Sequence, residues 1–487
     1  MMAGIAPVML WTDALVLALL VVVAAFVWWS RHEEHLRAPW RRVAASRSGM
    51  VAATVLAFFV AVGLLDSLHY RVSTAPPARQ GGAASARPGG GEVLSVLDAL
   101  AEPLRTRTER TFSAPFATHA HARETLTLPD GTQVRDFPRL RHGGAHLGDP
   151  QRDRGPDIAR GVARGIAAAA LVWTLLAGLL SFVAALRQGV PVGQVSRAIW
   201  SGRHPLPLRA VLVTLGIVLA VLGPLLVLST QYHVLGTDKV GQDVLYLTLK
   251  SVRTGLVIGT VTTLVMLPFA LSLGIMAGYF GGRIDDVIQY LYTTLSSIPG
   301  VLLIAAAVLM MQVTMDSHAD IFDSVTRRAD FRLLFLCVIL GITSWTGLCR
   351  LLRGETLKLR EMEYVQAARG LGVGHATIML RHILPNVLHL VIITTVLGFS
   401  GLVLAEAVLS YVGVGVDPAM NSFGTMINAA RLEMAREPVV WWSLASAFVF
   451  MFVLVLAANL FADAVRDALD PRRRARPAGP STAGNTA

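Results

Sequence analysis

The chain has 487 residues, 54% of them hydrophobic and only 15% charged, with a mean hydropathy of +0.56. Soluble domains carry about 25% charged residues, so this composition excludes an ordinary soluble protein and points to one embedded in a lipid membrane. The net charge of +11 does not argue for nucleic acid, because the arginines are spread along loops without the interleaved aromatics of a single-strand binder; it reads as topology signal and attraction to anionic headgroups.

Nine apolar stretches are long enough to count as spans: 9–29, 50–68, 166–186, 209–229, 255–279, 286–312, 331–349, 388–410 and 439–462. The first contains Asp13 and has no basic residue before it, unlike a cleaved signal peptide. Asp13 lies close enough to the end of that stretch to reach the interface. Basic residues crowd segments 30–49, 187–208 and 350–387 and the tail. The positive-inside rule places all four in the cytoplasm, which puts the C-terminus inside and, with nine spans, the N-terminus outside.

Residues 70–165 form a long loop with 14 Arg and 10 Asp or Glu. It opens on a low-complexity stretch, followed by a short amphipathic helix carrying Val93, Leu94, Val96, Leu97 and Leu100, interrupted by Pro103. A hairpin is expected around Pro129-Asp130-Gly131. Few residues here look able to fill a core, so the loop reads as a small, partly ordered excursion on the outer face. His119, His121, His142 and His146 have no cysteine or organised carboxylate beside them and read as a solvated loop, not a metal site.

The chain lacks a P-loop, an HExxH motif, a GxSxG elbow and a CxxC pair. Cys337 and Cys349, twelve residues apart in one apolar helix, cannot form a disulfide and read as packing residues. No cofactor, metal or catalytic residue is expected. Energy for any transport must come from a partner.

The most informative stretch is 361–386, EMEYVQAARGLGVGHATIMLRHILPN, a polar segment between two apolar runs. Its spacing predicts two short helices. The first carries Tyr364, Val365, Ala368 and Leu371 and stops at Gly372; the second carries Ile378, Met379, His382 and Ile383 and stops before Pro385. An apolar face on such a loop needs a partner surface, on this chain or another.

This segment resembles the EAA loop of ABC-transporter permeases, and its His382-Ile-Leu-Pro-Asn386 ending resembles the dipeptide/oligopeptide/nickel family. Other motifs follow in that family's order. His233–Asp243 resembles its GTDxxGRD segment, Gly278–Asp285 its GYxGGxxD turn, and Ser297-Ile-Pro299 its mid-helix proline. Trp345, Arg350, Arg353 and Glu355 match the run into the EAA loop. Tyr411–Gly415, Ser422–Gly424, Asn459 and Asp463–Pro471 complete the series. Gln366 and Gln242 stand where the family has Glu and Arg, which removes a charge at each position.

The resemblance implies an all-helical integral membrane bundle: a six-span ABC importer permease core with about three extra N-terminal spans, in a bacterial inner membrane. The corresponding division is 1–69 for two extra helices, 70–165 for an extracytoplasmic insertion, 166–208 for an extra helix and cytoplasmic loop, 209–470 for the permease domain, and 471–487 for a disordered tail. It implies a homologous second permease subunit, cytoplasmic ABC ATPase subunits and an extracytoplasmic solute-binding protein as partners, with peptides or similar small solutes as cargo. Glu363, Tyr364, Ala367, Ala368, Gly372, Ile378, His382, Leu384 and Pro385 would form the ATPase-coupling loop. Gly236, Thr237, Asp238, Gly241 and Asp243 would belong to an outer-face helix, capped by Thr237 or Asp238. Two rivals are a non-transporting scaffold or sensor that keeps the permease core, and an ion-driven carrier, against which the scarcity of buried charge argues.

Overall fold

Long Leu-, Val- and Ala-rich runs, interrupted by Gly, Pro and polar caps, set the architecture of the computed structural model, which describes residues 5–30, 32, 34–72, 93–127, 133–318 and 325–469. Strand β1 (Ile5–Val8) leads into helix α1 (Trp11–Ser30). Helices α2 (Glu34–Ala45) and α3 (Arg47–Ser67) follow, and Ser46 Oγ accepts from Gly49 N at 3.2 Å to start α3. Strands β2 (His69–Val72) and β3 (Val93–Ser95) join β1 in an antiparallel sheet of order β1-β2-β3, with Val8 opposite His69 and Tyr70 opposite Leu94.

The excursion continues as α4 (Val96–Leu100), α5 (Glu102–Thr106) and a hairpin of β4 (Glu124–Thr127) with β5 (Gln133–Asp136). Then come α6 (Pro150–Gln188), α7 (Val192–Trp200), α8 (Leu208–Leu228), α9 (Val244–Phe280), α10 (Gly282–Ser297), α11 (Gly300–Ser317) and α12 (Val325–Leu359). The last third holds α13 (Glu363–Gly370), α14 (His375–Ile378), a π-turn at Met379–Ile383, α15 (Leu384–Tyr411), α16 (Phe423–Glu433) and α17 (Trp442–Leu469).

Among the described residues eight helices are long and apolar enough to cross a membrane; the apolar run of α1, Trp11–Ala25, is shorter than these. The expected first span is therefore marginal by length, and the other eight expected spans each have their helix. The expected stretch 286–312 is not one helix. Pro299 has no N–H to give, and the extended Ile298 beside it separates α10 from α11.

The bundle core lies between α9 and α12, which meet along a seam of small residues. A Cβ on Gly274 would lie 2.8 Å from the Cys349 carbonyl oxygen, and one on Gly341 would lie 2.7 Å from Val265 Cβ. Cys337 and Cys349 are fully buried there as free thiols. Helix α3 packs against α9 and α17, whereas α8 packs on α6 and α3. The α6–α8 hairpin closes over glycines, with Gly165 against Pro224 and Gly223.

The excursion was expected to lack a core. Leu97, Ala101, Leu104 and Phe112 instead share one buried cluster with Phe59 and Val62 of α3, Val244 of α9 and Trp442 of α17. Its apolar residues suffice because the bundle end supplies the other half of the core. The expected amphipathic helix at 93–100 begins as strand β3, and Ser95 and Asp98 close a capping box that starts α4 there. Strands β4 and β5 flank the expected hairpin turn, whose residues 129–131 lie outside the described residues, as do the opening of the excursion and the tail beyond 469.

Candidate functional site

Residues 361–386 form an anchored surface element. Val365, Ala368, Ile378 and Ile383 are buried in a cluster with Ala277 and Tyr279 of α9, Ile288 of α10 and Leu352 of α12. The opposite side of the element is open: Leu371 is 84% and Leu380 63% exposed, with Tyr364 and Met362 also exposed. Tyr364 and Leu371 thus do not share the buried face of Val365 and Ala368, with which their spacing groups them. Glu363, Ala367 and Pro385 are exposed, while His382 and Leu384 are half-buried.

The turn between the helices is a Schellman motif. Gly372, at φ 75°, donates to the Arg369 carbonyl at 3.1 Å, and Val373 N donates to the Ala368 carbonyl at 3.0 Å. Gln366 Nε2 donates to the Arg360 carbonyl at 2.9 Å, which holds the start of the element. Tyr279 Oη lies 2.8 Å from His375 Nδ1, and Asn386 Nδ2 lies 3.1 Å from Tyr364 Oη. The second helix does not end before Pro385. Met379–Ile383 widen into a π-turn and the chain runs on into α15, with Pro385 in its first turn. The segment is therefore the stiff extension of a membrane-length helix. Arg353 donates to both Asp285 oxygens, at 2.5 and 2.6 Å, bracing α10 against α12 beside it.

At the opposite end of the bundle, residues 233–243 are not a helix. Gly236 and Gly241 both have positive φ, and the first helical turn begins only at Val244, capped by Asp243 Oδ1 accepting from Leu245 N at 2.8 Å. Asp238 closes the local turn instead, accepting from Val240 and Gln242 N–H groups. The expected outer-face helix, with Thr237 or Asp238 as its cap, gives way to a loop because two left-handed glycines break it.

That loop is covered by the excursion. Thr237 Oγ1 donates to the Thr111 carbonyl at 2.9 Å and accepts from Ser113 N at 2.7 Å; Glu109 N donates to the Gly241 carbonyl at 2.9 Å. His233 Nδ1 lies 2.8 Å from Asp243 Oδ2, and its Nε2 stands 3.5 Å from Glu109 Oε1, an ion pair without an aligned hydrogen bond. Burial opposes charge on His233, but the two carboxylates override it and push the imidazole up to about 9. Burial would likewise raise Glu109; His233 and the N–H groups of Arg141, His142 and Gly143 hold it at about 2.

A second group of charges joins the N-terminal helices to the core. Lys250 Nζ lies 2.6 Å from Asp66 Oδ1 and 3.0 Å from Asp98 Oδ1. One turn on, Arg253 Nη2 lies 2.6 Å from Asp13 Oδ1 and 3.9 Å from Asp330. Asp13, expected at the interface, is instead buried, with His69 Nδ1 2.8 Å away. The expected span began at residue 255, which left Lys250 and Arg253 outside it; α9 starts at Val244, and their i, i+3 spacing on one helix face was the available signal. His121 is not a solvated residue either, since its ring packs edge-on to Trp442 at 4.8 Å. Among the described residues no group of His, Cys, Asp and Glu converges as metal ligands.

Residues 270–475 match the model of a family described as "binding-protein-dependent transport system inner membrane component". An oligopeptide transport system permease protein of Mycobacterium bovis is 34% identical over 244 residues, covering 50% of this chain and 77% of that protein. A glutathione transport system permease protein of Pectobacterium atrosepticum is 33% identical over 49% of this chain and 73% of its own length. A dipeptide transport system permease protein of Lactococcus lactis is 28% identical, over 49% of this chain and 64% of its own length. Among solved structures, an inward-facing MetNI methionine ABC transporter overlays with a TM-score of 0.36 at 16% identity, over 46% of this chain and 97% of that one, a likeness too loose to argue from. The ordered motifs and a relative matched over most of its length place this chain in the binding-protein-dependent transport system inner membrane component family, as a multi-pass inner-membrane permease.

Proposed function

We propose that this chain is the membrane-spanning subunit of an ATP-driven importer for peptides or similar small solutes. The cargo follows the printed names of its relatives, which are oligopeptide, dipeptide and glutathione permeases. In this reading the 361–386 end is cytoplasmic, in keeping with the basic residues of segment 350–387. The excursion and the 233–243 loop then face outward. The working assembly would include a second permease subunit, cytoplasmic ATPase subunits and a solute-binding protein.

The observation that carries the reading is the two-sided build of 361–386. One side is locked into the bundle by Val365, Ala368, Ile378 and Ile383, and the other offers Tyr364, Leu371 and Leu380 to a partner. Closure of ATPases seated on that open side would push α13 and, through the π-turn, α15. The helices would rock between outward- and inward-facing arrangements around a solute held between the permease subunits.

Purification from native membranes in mild detergent tests this directly. A P-loop ATPase is expected with the wild type and not with Leu371→Asp, which alters only the open side. No ATPase with either form would favour the scaffold or sensor reading, for which the ordered excursion supplies a ready binding surface.

A further inference from the structure

In the importer reading, a delivering protein meets the outer face of the permease. Here most of the segment at that place, residues 233–243, is covered: Thr237 is 0%, Asp243 1% and His233 4% exposed beneath the excursion, and only the tip at Lys239, Val240 and Gln242 is open. The excursion borders that tip, with Glu109 N donating to the Gly241 carbonyl, so a partner seated there meets the excursion as well.

The excursion's free surface is basic. A groove of about 280 Å³ runs between residues 109–111 and 138–141, with Arg110, Arg139 and Arg141 on its walls. Two carboxylates also line it, but Glu109 is already occupied by three backbone N–H groups and His233. Glu124 stands 3.7 Å from Arg110, a loose pair that leaves the guanidinium donors largely free. Arg139 is held by the carbonyls of Ala145 and Leu147, which fixes its charge at the groove wall. The Arg141 side chain is exposed and has no partner among the described residues. Nearby, Arg123 is exposed and lies over the Phe137 ring at 5.2 Å.

The groove thus carries three guanidinium groups against one available carboxylate, set on a frame tied to α9 and α17 through Thr237, Asp243 and Trp442. Guanidinium forks on a rigid frame suit carboxylate side chains. We propose that this arginine groove is the docking surface for an acidic face of the extracytoplasmic partner protein, moved onto the excursion from the largely covered 233–243 loop. The proposal rests on the importer reading for its sidedness. Docking on the excursion would couple the partner to the N-terminus of α9 through the Glu109–His233–Asp243 contacts.

The test uses the full chain in neutral phosphatidylcholine nanodiscs. Anisotropy of a fluorescent Glu-rich dodecapeptide is compared with that of a Gln-rich control, for wild type, Arg110→Glu/Arg141→Glu and the milder Arg110→Gln/Arg141→Gln. Rim charges act through long-range attraction, so binding of the acidic peptide should fall about tenfold or more in both variants and weaken with salt. An unchanged affinity, or wild-type binding no better than to the control peptide, overturns the proposal. So does peptide binding that ignores the variants while binding of phosphatidylglycerol vesicles drops, which would mark a lipid-facing surface. Maleimide labelling of Arg141→Cys in intact cells separates the two levels. Labelling from outside is expected, and protection from outside with labelling from inside would sink the sidedness of the importer reading itself.

Discussion

Trp442 Nε1 donates to the Thr237 carbonyl at 2.9 Å, so the first residue of the last helix holds the loop that precedes α9. The same indole packs beside Gly236, where a Cβ would lie 2.8 Å from its ring, and meets the edge of His121. Two parts of the chain remote in sequence, the 236–237 loop and His121, thus converge on one side chain. Trp442→Phe keeps most of the packing and removes the donor, leaving a buried carbonyl unsatisfied, and should cost about 1–3 kcal/mol. Thermal unfolding in detergent checks this. The excursion should also become more sensitive to protease, since the loop beneath it loses a fixed point.

The Glu109–His233–Asp243 contact makes docking of the excursion pH-dependent. Folding raises the pKa of His233 from an ordinary 6.5 to about 9, so its contribution is complete below pH 6.5 and is lost as pH rises through about 9. Glu109 is shifted the other way, to about 2 from 4.5, so its contribution is complete above pH 4.5 and is lost only as pH falls through about 2. Protease protection of residues 93–149 should therefore be flat from pH 5 to 6.5 and decline toward pH 10. In His233→Gln the alkaline decline should disappear and protection should be lower throughout. A wild-type profile flat to pH 10 would rule out the charged contact.

Gly278 and Gly354 lie on neighbouring helices but in different surroundings. A Cβ on Gly278 would sit 2.5 Å from Thr356 Cβ and 2.7 Å from the Arg353 carbonyl oxygen, whereas one on Gly354 meets nothing within 4 Å. Gly278→Ala should destabilise by about 1–3 kcal/mol through overpacking of the α9–α12 seam. Gly354→Ala should be neutral or gain up to about 1 kcal/mol from helix propensity. Equal melting temperatures for the two variants would contradict the seam.

Lys250 stands between Asp66 and Asp98. Lys250→Met leaves two buried carboxylates facing each other without a cation, a change of the class that costs about 3–5 kcal/mol. The triple variant that also carries Asp66→Asn and Asp98→Asn should recover much of the lost stability, because no buried charge is then left unpaired. Fluorescence-detected gel filtration of the three forms checks the order wild type, triple variant, single variant.

How legible the architecture was in sequence depends on which force set each element. Eight spans were readable because membrane burial selects long apolar runs directly. The division of 286–312 turned on Pro299, which was noticed but placed inside a helix. The glycine that turns the 361–386 segment was readable, since φ 75° at Gly372 is a local requirement. Which side of that segment faces inward was not, because Leu371 lies at the C-cap, where the helical period no longer applies. The excursion was misjudged for a different reason. Leu97, Leu104 and Phe112 are too few for a core of their own, and their partners on α3, α9 and α17 are remote in sequence. The contacts of Lys250 with Asp66 and Asp98, and of Arg253 with Asp13, were likewise hidden, since each joins residues 150 or more apart.

The central claim is that the open side of residues 361–386 receives an ATPase. Site-specific crosslinking in native membranes tests it most directly, with single cysteines at Leu371, which is 84% exposed, and at Ala368, which is 8% exposed. The Leu371→Cys form should crosslink to a nucleotide-hydrolysing subunit, with a yield that changes between ATP and ADP, while Ala368→Cys should not. Crosslinks from Leu371→Cys only to this chain's own helices would contradict the account.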